Sequence, residues 1–392
     1  MSDKQIKTLS RRKFLSAAGL TAAGVGGAAL IPGTSGFFTR EANAADAKYK
    51  LRFGASVVTK TNEQHLRTGI YHFVDQVHKL TDGELQIQVV DSGQACGEAT
   101  CGPVVTNGIY DMASSSPQNL GSVFPYSIAM DWPMLWGSRE EYLNLLFSPA
   151  SNRLYREVME SRYGVIPLFG SGEMRSIFMG KKYEDKDAIR SPAQLKGAKI
   201  RITNSEMISA FSQSLEMNPI PLAWTELLEG LRSGVVDATE TWPGAATGFG
   251  MQNVLSQEVP VNFSPGYELV FISARAYNKL PDRIKEALLE ASYQAMIFGY
   301  EGVKEAQNEV VGNGPQPSES SAYEQSGLRL IDLNDADLEE FQKAAGIANN
   351  EDIYKDIRAK LSSIAGTDVL DSMRQFQASV AGQPLKPQRW WA

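Results

Sequence analysis

The clearest chemistry in the chain sits in its middle third: two arginines, Arg175 and Arg201, and the run Asp237-Ala238-Thr239-Glu240-Thr241-Trp242-Pro243-Gly244. A guanidinium keeps its charge at any working pH and presents a planar fork that matches a carboxylate through two hydrogen bonds. Arg175 opens a predicted strand over residues 175–179, and Arg201 lies in the next one, near its end and just before a helix start. In open α/β sheets such strand ends line the ligand crevice. Either arginine taken alone also reads as an ordinary surface charge. In the third element Trp242 can stack on a ligand while Glu240 or Thr241 accepts a hydrogen bond or holds a cation, with Glu240 then needing a positive partner. The plainer reading makes Trp242 a core aromatic and Glu240 a solvated acid.

Other chemistries find little support. The chain has no Gly-x-x-x-x-Gly-Lys-Ser/Thr, His-Glu-x-x-His or Gly-x-Ser-x-Gly run and no dinucleotide fingerprint. His65, His72 and His78 fall on one helical stretch and read as solvated or packing residues, and Gly170-Ser171-Gly172 reads as a turn. No cofactor is expected. No closed metal site is expected either, because a structural zinc takes four ligands and the histidines share one stretch. Cys96 and Cys101 are the only cysteines, and their spacing favours a local disulfide over free thiols.

The N-terminus sets the compartment. Ser10-Arg11-Arg12-Lys13-Phe14-Leu15 is a twin-arginine signature, followed by an Ala- and Gly-rich apolar stretch and by Ala42-Asn43-Ala44. Residues 1–44 therefore read as a cleavable export signal, and the protein is expected in the periplasm. The full chain is formally −7; the first 44 residues carry six basic and two acidic side chains, which leaves −11 for the remainder. That balance argues against nucleic acid or anionic lipid as partner. An anionic ligand would need a local cationic site.

The elements that must position these residues follow from periodicity. Residues 49–58 alternate as a strand, Leu66, Ile70, Phe73, Val74 and Val77 recur at helical spacing, and residues 84–90 form a second strand. This βαβ unit predicts a parallel sheet. Further strands are predicted at 110–115, 164–169, 174–180, 199–202, 235–241, 255–261 and 267–274. Ser191-Pro192-Ala193-Gln194 has the N-cap serine, first-turn proline and third-position glutamine of a short helix that stops at Gly197. Asn204 or Ser205 caps a helix whose face carries Met207, Ala210, Phe211, Ser214 and Leu215. From Leu280 the chain is mostly helical, with a loop over 312–321, and the Arg389-Trp390-Trp391 end either docks on the surface or frays.

These blocks carry a resemblance. Residues 191–202, then Asn218-Pro219-Ile220-Pro221-Leu222, then residues 226–237 run in the order of the core signature of TRAP (tripartite ATP-independent periplasmic) transporter solute receptors, the dicarboxylate-receptor family. Ser92-Gly93-Gln94, Glu98, residues 108–112, Asp131-Trp132-Pro133-Met134-Leu135-Trp136 and residues 277–281 follow the family's order as well, so that the likeness covers roughly 50–300. It implies an α/β periplasmic solute-binding fold of two α/β domains with a hinge, a cleft and a mostly helical C-terminal part. We expect residues 45–171 with 266–308 in domain I and 172–265 with 309–392 in domain II. The resemblance also implies that Arg201 pairs with a ligand carboxylate and that Arg175 assists, as in members of the sialic-acid and dicarboxylate type.

The chain departs from the family pattern at Thr241, where an asparagine or tryptophan is usual and Trp242 follows one place later. On the other lobe the family's ligand positions match Ser115, Ser116, Pro117, Gln118 and Asn119, from which Ser116 and Asn119 are taken as contacts. Some keto-acid receptors of the family hold a metal ion with the acid at the position of Glu240. The function implied is that of a receptor, not an enzyme: a small organic acid bound in an interdomain cleft and delivered to the membrane permease subunits of a TRAP transporter, by a monomer or dimer. Trp224, Trp242 and the neutral cluster 115–119 point to a monocarboxylate with an apolar or aromatic portion, with dicarboxylates and sugar acids left open. The rival is an exported periplasmic enzyme acting on a small carboxylate.

Overall fold

The computed structural model describes residues 47–392. The predicted export signal at 1–44 lies outside the described residues. No helix among the described residues is long and apolar enough to cross a membrane. In chain order the strands are β1 (Tyr49–Ala55), β2 (Leu85–Val90), β3 (Met112–Ser115), β4 (Val165–Met174), β5 (Ser176–Gly180), β6 (Lys199–Ile202), β7 (Asn218–Pro221), β8 (Ala238–Thr241), β9 (Leu255–Val259), β10 (Pro265–Ser273) and β11 (Arg329–Leu330). They form two sheets, ordered β2-β1-β3-β10-β4 and β11-β9-β5-β8-β6-β7, flanked by helices in a two-domain α/β architecture.

The predicted βαβ unit is present, with β1 parallel to β2 from Tyr49↔Leu85 to Gly54↔Val90. Its helix is split into Glu63–Leu66 and Ile70–Leu80 at Gly69. Gly69 has φ +78°, and a Cβ there would stand 2.5 Å from the Ala295 carbonyl oxygen, so only glycine fits. The sheets are mixed rather than parallel: β10 runs antiparallel to β3 and β4, and β5 antiparallel to β8 and β9. The expected turn at Gly170-Ser171-Gly172 is instead the middle of β4, paired with Tyr267, Glu268 and Leu269 of β10. A Cβ on Gly172 would meet Gly266 O at 2.1 Å, so the glycine answers a close cross-strand approach and not a reversal. β7 was not expected; its two prolines are tolerated because it is an edge strand.

Strand alternation places the site. In β5, Ile177 and Met179 enter one core and Phe178 another, so both faces of the second sheet are covered. In β6, Ile200 and Ile202 pack with Phe211 and Leu215, which sends Arg201 to the opposite face. The helix Glu206–Ser214 that follows is capped by Ser205, whose side chain accepts from the Ile208 amide, and residues 191–194 make the expected capping box.

Two chain segments pass between the sheets side by side. Arg175 separates β4 from β5; its amide donates to Ser264 O at 2.9 Å, and its carbonyl accepts from the Phe263 amide at 3.2 Å, just ahead of β10. The helix Asp282–Ala306 also spans both bodies: Ile284, Leu288 and Ala291 pack in the core of the first sheet, and Ala306 in a core of the second. Residues 309–392 do not stay together. Phe341 and Ala345 pack with the second sheet, whereas Ile357, Leu361, Leu370 and Met373 join the core of the first. The C-terminal end docks: Trp390 is 2% exposed, lies 4.1 Å from the Arg156 guanidinium and has its carbonyl held by Asn152 at 2.6 Å.

Candidate functional site

The same edge of each sheet faces a common space. In the second sheet Arg201 stands near the C-terminal end of β6, Thr241 and Trp242 at the end of β8, and Arg175 ahead of β5, whose Ser176 pairs with Thr241. In the first, Ser116 follows β3, and Glu268 lies in β10 beside Leu269, the partner of Ser115. Between them is a small cavity. The second sheet contributes Arg175, Arg201, Thr203, Trp224, Thr241 and Trp242 to its lining; the first contributes Glu98, Ser116, Asn119 and Glu268, with Val57, Val58 and Leu66 as apolar neighbours. Its lining combines apolar side chains with converging polar and charged groups, as in a small-molecule site.

The two arginines are buried, 2% and 1% exposed, and share one acid, Glu240. Arg175 Nε and Nη2 both lie 2.6 Å from Glu240 Oε2, and its Nη1 reaches Gln118 Oε1 at 3.4 Å. Arg201 donates through Nε to Leu222 O at 2.9 Å, while its Nη1 lies 3.8 Å from Glu240 Oε1 and has no hydrogen-bond partner. Glu240 Oε1 instead accepts from the Thr203 amide at 3.2 Å. Two positive charges against one negative leave the wall with an excess positive charge. Burial lowers the pKa of Arg201, an effect opposed by the charges of Glu240 and Glu98. A fixed cation so placed gains from an anion more than a solvated one does, because the effective dielectric is lower.

Arg201 Nη1 is not alone. Trp224 Nε1, Trp242 Nε1, Thr203 Oγ1 and Thr241 Oγ1 are also buried without a partner, and all five belong to cavity-lining residues of the second sheet. Three of these five groups are N–H donors and two are hydroxyls, so this wall can receive the hydrogen-bond acceptors of a small molecule. The indoles stand by the arginines, Trp224 with its ring centre 5.3 Å from the Arg201 guanidinium and Trp242 5.5 Å from that of Arg175. Trp224 meets Phe249 edge-on at 5.2 Å.

The opposite wall is acidic. Cys96 and Cys101 form a disulfide, and the short loop it closes carries Glu98, whose Oε2 accepts from Asn119 Nδ2 at 2.6 Å. Glu268 Oε1 accepts from Ser56 Oγ at 2.9 Å. Burial, and then the charge of Glu98, push Glu268 up to about 8. Burial raises Glu98 as well, although Arg201 and Arg175 oppose it. Ser116 donates to Gln118 Oε1 at 2.5 Å, and Gln118 in turn donates to Asp131 Oδ1 at 2.9 Å, which ties this wall to the Arg175 fork.

Of the residues singled out from the sequence, Arg175, Arg201, Thr241, Trp242, Ser116 and Asn119 come together around the one cavity. Glu240 sits behind the arginines. Both of its oxygens are committed, to Arg175 and to the Thr203 amide, so its carboxylate does not fit the cation-holding role. Sequence reasoning did not select Glu98, Thr203 or Glu268. Glu268 hides in an apolar strand with no local signal, whereas Glu98, next to the cysteines, had one. The histidines are elsewhere: His65 Nδ1 shares a hydrogen bond with Thr247 Oγ1, and His72 stacks on Phe298.

The family model described as bacterial extracellular solute-binding protein, family 7, matches residues 54–356. The 2,3-diketo-L-gulonate-binding periplasmic protein YiaO of Escherichia coli is 24% identical over 336 residues, 84% of this chain and 93% of that protein. Among solved structures, a TRAP periplasmic solute-binding protein from Sulfitobacter sp. NAS-14.1 with bound β-D-galacturonate superposes with a TM-score of 0.68 at 18% identity, covering 83% of this chain and 99% of that one. One from Sulfurospirillum deleyianum with bound succinate gives 0.68 at 21% identity, with 85% and 99% covered. These relatives are solute-binding proteins, which removes the support for the enzyme reading. The match over most of the described residues, on a fold of two α/β domains around one cavity, means that this chain belongs to family 7 of the bacterial extracellular solute-binding proteins, the solute receptors of TRAP transporters.

Proposed function

We propose that this chain is a periplasmic receptor that takes up a small organic acid between its two sheets, with the ligand carboxylate on Arg201, and hands it to the permease subunits of a TRAP transporter. The observation that carries the reading is the Arg201 guanidinium: 1% exposed, only partly compensated by Glu240, and with Nη1 lacking a partner inside the cavity. A buried charge left without an anion is costly, so the site favours a ligand that supplies one. Arg175 is held by Glu240 in a fixed orientation and assists. Thr241, Trp242, Ser116 and Asn119 complete the contacts, and the paired segments at Arg175 and 263–264 serve as part of the hinge about which the lobes close. The lobes follow the two sheets, with the helices after Tyr354 assigned to the first. Delivery to the periplasm by the twin-arginine route fits the Arg11-Arg12 leader.

The solved neighbours hold acids as different as galacturonate and succinate, so the family alone does not name the ligand. A thermal-shift screen of organic acids, together with mass spectrometry of any acid that co-purifies, tests the reading. An acid present at about 100 times its Kd stabilises the receptor by roughly 2.7 kcal/mol, an upward shift of several degrees. The absence of a shift with any acid, or turnover of one, contradicts it.

A further inference from the structure

Resting on that receptor reading, we propose that the cavity selects acids whose other pole is a hydrogen-bond donor, whether hydroxyl, amide N–H or ammonium, and rejects dicarboxylates, because Glu98 and Glu268 form its wall opposite the arginines. The two walls differ in kind. On the second sheet the unpartnered groups are donors or hydroxyls: Arg201 Nη1, the Trp224 and Trp242 indole N–H groups, Thr203 and Thr241. On the first sheet the charged groups are carboxylates whose hydrogen bonds come from neutral side chains, Asn119 to Glu98 and Ser56 to Glu268. Among the described residues neither carboxylate lies within ion-pair distance of a lysine or arginine. A third acid, Asp131, stands behind this wall on Gln118, with its Oδ2 unpartnered.

Charge decides which second pole is accepted. Arg175 and Arg201 against Glu240 leave one positive charge, and a single ligand carboxylate neutralises it. A second carboxylate would arrive with no cation left, against an acidic wall in a poorly screened space. Burial raises both wall carboxylates, and the charge of Glu98 adds to the rise of Glu268, which reaches about 8. That wall is lined by the two carboxyl groups. A donor on the ligand satisfies such a group, and an ammonium satisfies it with charge as well.

The test uses the exported protein without its leader and titration calorimetry at pH 7.5. Malonate, succinate and glutarate are compared with acids of matched length ending in an alcohol, a primary amide or an amine. At least one donor series should bind about tenfold or more tighter than the matched dicarboxylate, and the best of the three arms names the donor. In Glu98→Gln that preference should shrink about tenfold or more. Dicarboxylates binding as tightly as the donor series overturn this inference alone, as does a preference unchanged in Glu98→Gln. Binding by none of the acids overturns the receptor reading and this one with it. If Glu98→Gln does not fold, the comparison in the unsubstituted protein decides by itself.

Discussion

Replacing Arg201 by methionine isolates the anion site. The unbranched side chain keeps the stem packing while removing the charge and the fork. Two contacts of the folded protein change: Leu222 O loses the Nε donor at 2.9 Å, and Glu240 loses a cation 3.8 Å away. Glu240 retains Arg175 at 2.6 Å and the Thr203 amide at 3.2 Å, so it is not left as a bare buried charge. The fold should therefore lose only about 1 kcal/mol, the net worth of one hydrogen bond. The ligand fares worse, because the remaining Arg175–Glu240 pair is neutral and the wall no longer carries an excess positive charge. Loss of one partner of a buried charge pair costs about 2 to 5 kcal/mol, which is about 30-fold to several thousand-fold in Kd. Arg201→Lys, which keeps a charge but not the fork, should fall between, at about tenfold weaker. Titration calorimetry with the best acid from the screen reads both variants, and their unfolding midpoints control for folding. Unchanged affinity in Arg201→Met, with the fold intact, would refute the reasoning.

Other expectations follow from neighbouring contacts. Glu240→Gln removes the acid that two buried arginines share and should lower stability by about 3 to 5 kcal/mol in chemical denaturation, whereas a substitution at an exposed pair such as Lys196–Glu216 should change it by less than 1 kcal/mol. Cys96→Ser with Cys101→Ser opens the loop that carries Glu98; for so short a loop the disulfide contributes about 2 kcal/mol, and ligand affinity should drop along with stability. Glu63 and Glu258 are raised to about 7 and Glu268 to about 8, in each case chiefly by burial. The folded state therefore binds more protons than the unfolded one between the ordinary carboxylate range and pH 8. Their contribution is fully present below that range and is lost as pH rises through 7 to 8, so the unfolding midpoint should decrease from pH 5 to pH 8.5 and decrease less in Glu258→Gln. Trp390→Ala removes a buried indole from the Arg156 guanidinium and should destabilise by about 3 kcal/mol in urea titration.

What could be read from the sequence was local. The capping box at Ser191 and Gln194, the strand Lys199–Ile202 and the βαβ unit at the start each depend on residues within a few positions of one another, and each is found where expected. Gly170 and Gly172 misled because a glycine that makes room for a facing strand looks the same as one that makes a turn, and the facing residues, Gly266 and Tyr267, lie almost 100 positions away. The site was half legible for the same reason. The arginines announced themselves by type and strand position, but the acid that fixes Arg175 is 65 residues further on, where its oxygens accept from Arg175 and the Thr203 amide. Glu268 is a single acid in an apolar strand, and its meaning depends on Ser56, 212 residues earlier, and on Glu98, which lines the same wall.

The central claim is that a ligand carboxylate rests on the Arg201 guanidinium inside the cavity between the two sheets. A crystal structure of the receptor with the best acid from the screen tests it most directly. The account predicts a ligand carboxylate oxygen within hydrogen-bond distance of Arg201 Nη1, with both indoles against the ligand. A ligand carboxylate lodged on the first sheet or at the surface, with Arg201 still unpartnered, would contradict it.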